Sequence, residues 1–252
     1  MYRKGNWTHD RATDRLMQKA RFPLDVDMRS KQIKTMLDPT AAQDAATKAY
    51  VDASNTGRSV TLVVAADDSS LEVKARADYV CTGVDDEVEI NAALAALPAA
   101  EGEVRLMEGT FNIAAPITPP AGAKLSGLGW STIINGTNVV GVTNAIVPAG
   151  ANVTISDLAI VFAAGAGDVG SRPNGIYNDA DYLWVENLWI TGDVSVGDDT
   201  SDLRQCGIVL DGASFCKISN VRSETNDRHG ICLSGAGALY NTIEMGLTSR
   251  NN

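Results

Sequence analysis

The densest run of side chains able to do chemistry is Glu224-Thr225-Asn226-Asp227-Arg228-His229, where two carboxyls and an imidazole fall within six residues. Two carboxyl groups roughly 5 to 9 Å apart can flank a glycosidic bond, one protonating the leaving oxygen while the other attacks or activates water. Glu224 and Asp227 could meet that separation at a corner of the chain, with His229 alongside, which would make a polysaccharide hydrolase or lyase. Against this, His229-Gly230-Ile231 echoes Cys206-Gly207-Ile208 and Asn174-Gly175-Ile176, and polar residues are ordinary in a loop that joins repeated units. No convergent set of groups is visible around the three, so the expectation is a loop and no catalysis.

Other candidate chemistry is thinner. Asp198-Asp199-Thr200-Ser201-Asp202 is acidic enough to attract calcium, but it lacks the ligand spacing and closing Glu of a calcium loop. His9 and His229 are far apart, and Cys81, Cys206, Cys216 and Cys232 show no CxxC spacing, so no zinc site is expected. The cysteines sit in apolar runs such as Ala213-Ser214-Phe215-Cys216, which favours buried thiols over a disulfide framework. Gly127-Leu128-Gly129 lacks the third glycine and following helix of a phosphate-binding loop. No metal and no cofactor are expected.

Across the 252 residues, 44% are hydrophobic and 21% charged, enough for a buried core, while aromatics make up only 6% and glycine is abundant at 23 residues. The later segments are rich in Val, Ile, Asn and Thr, which favours short strands and tight turns. Residues 1–58 carry 11 Lys and Arg against 7 Asp and Glu, a net +4, and the remainder carries 10 against 24, a net −14. An acidic body repels phosphate backbones, and the head has no dense basic cluster with interleaved aromatics, so no nucleic-acid partner is expected. Met1-Tyr2-Arg3-Lys4-Gly5-Asn6-Trp7 is not followed by an apolar run, and no stretch reaches membrane-spanning length; neither a signal peptide nor membrane insertion is expected.

Residues 1–37 show no sustained period and read as an extended arm that folds against a partner. In Asp38-Pro39-Thr40-Ala41-Ala42-Gln43-Asp44-Ala45-Ala46-Thr47-Lys48-Ala49-Tyr50-Val51-Asp52, Asp38 can cap, Pro39 suits the first helical position and Asp44 can cap again, giving a short helix or helical pair. Such a helix is too short to stand without neighbours. The segment Ile33–Asp52 resembles the N-terminal region of bacteriophage tail fibre and tail proteins, keeping the Asp-Pro cap, the Ala-Gln-Asp step and the Lys-Ala-Tyr-Val ending together. That local resemblance implies a virion component that joins other tail or baseplate proteins through Asp38, Pro39, Thr40, Gln43, Asp44, Lys48 and Tyr50, as a homotrimer.

After a polar linker at 53–58, a β-branched run at 59–65 opens a second domain. Asp86 with Glu89 reads as a capping box for a helix running to about Leu97, with Ile90, Ala93, Leu94 and Leu97 on one face and Pro98 stopping it. Short strands follow at 104–106, 111–113, 124–125 and 132–134. The series from Asp85 through Ala93, Leu97, Val104, Glu108-Gly109-Thr110-Phe111, Ile117, Leu125-Ser126-Gly127 and Thr132-Ile133-Ile134 resembles the opening of the pectate-lyase-like β-helix superfamily. The resemblance implies a helix plugging the first coil.

The second half repeats. Ile155-Ser156-Asp157-Leu158, Val185-Glu186-Asn187-Leu188 and Ile218-Ser219-Asn220-Val221 share one pattern, Ile243-Glu244-Met245 begins a degenerate fourth copy, and the starts step by 30, 33 and 25 residues. Such steps suit stacked coils with variable loops better than a β-sandwich. The aliphatic residues would stack inside, and Asp157, Asn187 and Asn220 would sit at a left-handed bend and bond to one another as a ladder. That bend resets the alternation, so Val185, Leu188 and Ile190 all face the core while Trp184 and Trp189 point outward, to be covered by another subunit or, second, by a host surface glycan.

The expectation is an all-β chain: residues 1–58 form a small extended and α-helical anchor, and residues 59–252 a right-handed parallel β-helix with a capping helix, incomplete at Asn252. Functionally this is a phage tail fibre or tailspike, assembled in the host cytoplasm and carried on the virion, projecting for host attachment. The alternatives are a tailspike depolymerase and a head decoration or head-fibre protein.

Overall fold

The chain divides into two units at Arg58/Ser59. The computed structural model describes residues 60–98, 102–136, 144–162, 174–192, 206–226, 229–244 and 247–249, all within the second unit.

Strands dominate: β1 (Val60–Ala65), β2 (Tyr79–Val80), β3 (Gly102–Leu106), β4 (Gly109–Asn112), β5 (Ala123–Ser126), β6 (Thr132–Asn135), β7 (Asn144–Ile146), β8 (Thr154–Val161), β9 (Asn174–Asn178), β10 (Trp184–Thr191), β11 (Ile208–Asp211), β12 (Lys217–Glu224), β13 (Ile231–Ser234), β14 (Thr242–Glu244) and β15 (Leu247–Ser249). Two helices, α1 (Leu71–Lys74) and α2 (Glu87–Ala95), precede β3. Every strand pairing among the described residues is parallel, which rules out the antiparallel sandwich for this region. One sheet runs β14-β12-β10-β8-β5-β3-β1-β2, with β4, β6 and β15 joined to it, and a second runs β13-β11-β9-β7.

The long strands are two short ones sharing a bend. β5 pairs with Thr154–Ser156 and β6 with Ala159–Val161, so the loop between β5 and β6 occupies the place that a single residue, Asp157, takes in β8. Asp157, Asn187 and Asn220 have φ of 58°, 55° and 49°. Asn and Asp tolerate this left-handed region better than other residues with a Cβ, because a short polar side chain can bond locally. Here the bonds run from turn to turn: Asn187 Nδ2 donates to Asp157 Oδ1 at 3.0 Å, and Asn220 Nδ2 to Asn187 Oδ1 at 2.7 Å.

Register then aligns the interior. Leu62, Val104, Leu125, Ile155, Val185, Ile218 and Ile243 follow one another across successive pairs. Phe111, Ile134, Ile160 and Ile190 form a second column, which Ser223 continues, and Ile117, Ile146, Ile176, Ile208 and Ile231 a third. Most of these side chains are fully buried, each contributing on the order of 1.5–3 kcal/mol. Ser223 is accommodated because its hydroxyl donates to Gly230 O at 3.1 Å and accepts from Asn226 Nδ2 at 2.9 Å.

The repeated Gly-Ile dipeptides belong to this stacking. Gly175 N–H donates to Cys206 O, Gly207 N–H to His229 O, and Ile208 N–H to Gly230 O, at 3.1, 3.0 and 3.0 Å. A Cβ on Gly175 would lie 2.5 Å from Gly207 O, and one on Gly207 would lie 2.5 Å from Gly230 O and collide with Ser223 Oγ. Glycine is required because the neighbouring turn occupies that space.

α2 buries Ile90, Ala93 and Leu94 in the same core and packs against β1, β2 and β3; Leu97, past the helix end, is partly buried against it. Its start differs from the expected capping box. Asp86 is itself in right-handed helical geometry and makes no side-chain cap. Its carboxylate instead accepts from Gly83 N at 2.7 Å and Asn112 N at 2.8 Å, stapling the loop before α2 to β4. A tertiary acceptor role has displaced the local one.

Candidate functional site

The bend before each long strand carries a second ladder, on the outside. Asn152, Tyr182, Phe215 and Tyr240 share φ of 58–61°. Asn152, Tyr182 and Phe215 each donate their N–H to the equivalent carbonyl of the following turn, on Asp181, Ser214 and Leu239. Asparagine is at ease there, whereas a bulky side chain in that region costs about 1–2 kcal/mol. Stacking offsets part of this: ring centroids of Tyr182 and Phe215 lie 5.2 Å apart and those of Phe215 and Tyr240 5.1 Å, within 10° and 14° of parallel, and each pair contributes about 0.5–1.5 kcal/mol. The three rings remain 50%, 48% and 75% exposed.

Two residues along, Thr154, Trp184 and Lys217 form a parallel outward row. Trp184 is half exposed. Lys217 Nζ sits 5.6 Å from the centroid of its ring and 3.0 Å from Glu244 Oε2. Between the two rows runs an open groove of about 390 Å³ whose floor is the chain at Leu183, with Asn152, Thr154, Tyr182, Trp184, Phe215 and Lys217 as its walls.

Trp189 belongs to a different cluster. Its indole is half-buried, its ring centroid lies 5.5 Å from that of Trp130 at 51°, and Arg222 stands 5.9 Å over its face. Its Nε1 donates to Glu224 Oε1 at 2.8 Å, and Arg222 Nη2 and Nε reach Glu224 Oε2 at 2.8 and 2.9 Å. Trp130 and Leu128, on the loop between β5 and β6, are 55% and 46% exposed.

Both tryptophans singled out from the sequence thus point outward, into separate surroundings. Of the weak catalytic candidates, Glu224 has both carboxylate oxygens engaged, by a guanidinium and an indole, which leaves it a structural acceptor. His229 is exposed, its carbonyl serves the turn-to-turn ladder, and no hydrogen bond joins its imidazole to Glu224 among the described residues. Asp227, the acidic run 198–202 and the docking residues Asp38, Pro39, Thr40, Gln43, Asp44, Lys48 and Tyr50 lie outside the described residues.

Cys81 Sγ and one carboxylate oxygen each of Asp86 and Glu89 lie within 4.8 Å of one another, the one set of potential metal ligands among the described residues. Burial pushes the Cys81 thiol far up, with the Asp86, Glu89 and Glu87 carboxylates adding to it. Burial also raises Asp86 against the backbone N–H groups that favour its anion. A cation there would have to remove the thiol proton against that environment, and Asp86 already serves as a staple, so the set is better explained by the packing of α2. All four cysteines are free thiols, with Cys81, Cys206 and Cys216 buried and Cys232 partly so.

Sequence reasoning missed the Tyr182, Phe215, Tyr240 ladder although a signal was present. From Asn152 these residues step by 30, 33 and 25, the same steps that separate Ile155, Val185, Ile218 and Ile243. No protein-family model matches the chain, and no curated protein matches it in sequence.

Proposed function

We propose that this chain is a structural protein of a phage particle, a tail fibre or tailspike. Residues 1–58 dock it to neighbouring tail or baseplate proteins, and residues 59–252 form a right-handed parallel β-helix that projects for host attachment. The observation that carries this reading is the aligned aliphatic column from Leu62 to Ile243, fully buried from Val104 to Ile218, backed by the Asp157-Asn187-Asn220 ladder. Parallel pairing from turn to turn with constant register lets a chain grow along one axis by about 4.8 Å per turn. Right-handedness follows from the strong preference of parallel crossover connections for that hand. A rod of this kind suits rigid projection, and α2, with its apolar face in the core beside β1 and β3, suits a plug for one end.

Two further features favour an assembled fibre over a soluble enzyme. Glu224 is committed to Arg222 and Trp189, which removes the best acid from the catalytic reading. Trp130, Trp189 and Arg222 form an outward cluster of the residue types that dominate protein interfaces, and it suits contact between subunits of a homotrimer. The local resemblance of Ile33–Asp52 to phage tail proteins supports a docking role for residues 1–58.

The test is antibody labelling of purified phage particles with serum raised against the intact chain. Gold at the tail or baseplate is the expected image. Intact particles without label, from a lysate that contains the chain, would end this reading, and label on the capsid would turn it into a head-fibre protein.

A further inference from the structure

We propose that the groove between the Tyr182 and Trp184 rows binds a pyranose unit of a neutral glycan, stacked against the aromatic rings and hydrogen-bonded to Asn152 and Thr154. This deepens the attachment reading above by naming the ligand class, and it rests on that reading for its biological setting alone.

The groove arises from a size step. In the turn of Trp184 both outward positions are aromatic, Tyr182 and Trp184; in the preceding turn the equivalent positions hold Asn152 and Thr154. Phe215 and Lys217 occupy the following turn, stacked under Tyr182 and Trp184 respectively. The ladders are therefore filled on one side of the aromatic turn and lack a large neighbour on the other. The resulting space of about 390 Å³ falls within the range of about 300–1,000 Å³ common for small-molecule sites.

Its chemistry selects the occupant. Tyr182 and Trp184 supply apolar rings, each with a polar edge. The side chains of Asn152 and Thr154 make no hydrogen bond among the described residues, so an amide and a hydroxyl are available at the rim. An apolar protein side chain seated here would strip water from both without replacing its bonds, at about 1–3 kcal/mol for each group left unsatisfied. A pyranose offers an apolar face of C–H bonds and a rim of hydroxyls, which matches both parts. The ligand is neutral because the one cation in the wall, Lys217, is paired with Glu244 at 3.0 Å, and residues 59–252 carry a net −14 that repels polyanions.

The experiment is saturation-transfer NMR on the full chain, with neutral hexasaccharides of glucose, mannose, galactose, N-acetylglucosamine and rhamnose, and a galacturonate hexamer as the anionic control. At least one neutral probe is expected to bind. Trp184→Ala should then weaken it by about tenfold or more, and Thr154→Val, a near-isosteric change that suits a strand, by a few-fold, while Leu71→Ala, at an exposed position on α1, leaves it unchanged. No binding by any neutral probe overturns the proposal, as do binding of the anionic hexamer alone, unchanged affinity in Trp184→Ala, and loss of trimeric mass in that variant, which would make the groove a subunit contact. A chain that labels the tail but binds no sugar loses this assignment and keeps the fibre; one that binds sugar but is missing from the particle does the reverse.

Discussion

Asn187 shows how much one residue does in this architecture. It adopts φ 55°, accepts from Asn220 and donates to Asp157, so it relieves backbone strain and links three turns. Replacement by alanine removes both benefits, and a loss of about 2–3 kcal/mol is expected from the left-handed cost plus the broken ladder. Glycine restores the backbone freedom and loses only the bonds, so Asn187→Gly should fall near 1 kcal/mol. Chemical denaturation of the two variants beside the parent checks the order, and equal losses would show that the bend carries no strain.

Glu103 makes a second residue-scale prediction, in pH. Burial raises its carboxyl, but Ser126 Oγ at 2.6 Å, Arg105 at 3.1 Å and Lys124 at 3.3 Å outweigh it and hold the group below the usual glutamate range. A carboxyl whose folded pKa is depressed adds stability above its unfolded pKa and loses it as pH falls through the folded value. Glu103→Gln should therefore be less stable than the parent at pH 7, with the two converging towards pH 3 in thermal melts. Asp86 has the opposite sign: raised by burial, it adds stability below its unfolded pKa and loses it as pH rises through the folded one.

At the scale of elements, the Gly-Ile dipeptides test whether the turns really lean on one another. A methyl on Gly207 has nowhere to go, since Gly230 O and Ser223 Oγ already fill the position. Gly207→Ala is expected to cost about 3 kcal/mol or more from overpacking against backbone. Gly212→Ala makes a useful contrast, because a Cβ there meets only Ala236 O at 3.9 Å, and its penalty comes from φ 72° alone, about 1–2 kcal/mol. Comparable midpoints for the two in urea would count against close packing between β9, β11 and β13.

On the scale of the whole molecule, one continuous core runs through the described residues, and the outward clusters are what is left for partners. Trp130, Trp189 and Arg222 form the cluster assigned above to subunit contact. Trp130→Ala with Trp189→Ala should lower the sedimenting mass from three chains to one without changing the β-rich circular dichroism. An unchanged mass would move the contact elsewhere on the surface.

Much of this was legible in the chain itself. The Ile-x-Asp/Asn-Leu steps announced strands, bend and interior together, because inward residues must recur once per turn and the left-handed bend tolerates few side chains. The Gly-Ile echo was visible too, and it pointed to stacked backbone and away from His229 as a catalyst. Other features were out of reach. Asp86 and Glu89 have the spacing of a capping box, yet the nearest N–H groups to Asp86 come from Gly83 and from Asn112 in the next turn. Trp130 meets Trp189 only because the loop between β5 and β6 folds back at a bend that other turns make with one residue.

By itself the sequence determined what repeats: which residues lie inside and where the backbone must bend, since these depend on period and on local conformational cost. Tertiary structure alone decided which outward side chains meet: that Glu224 is held by Arg222 and Trp189, and that Tyr182 and Trp184 frame a groove. Contacts between paired strands and loops join residues 15 to about 60 positions apart through loops of unequal length, and only the register of the stacked strands says which of them become neighbours.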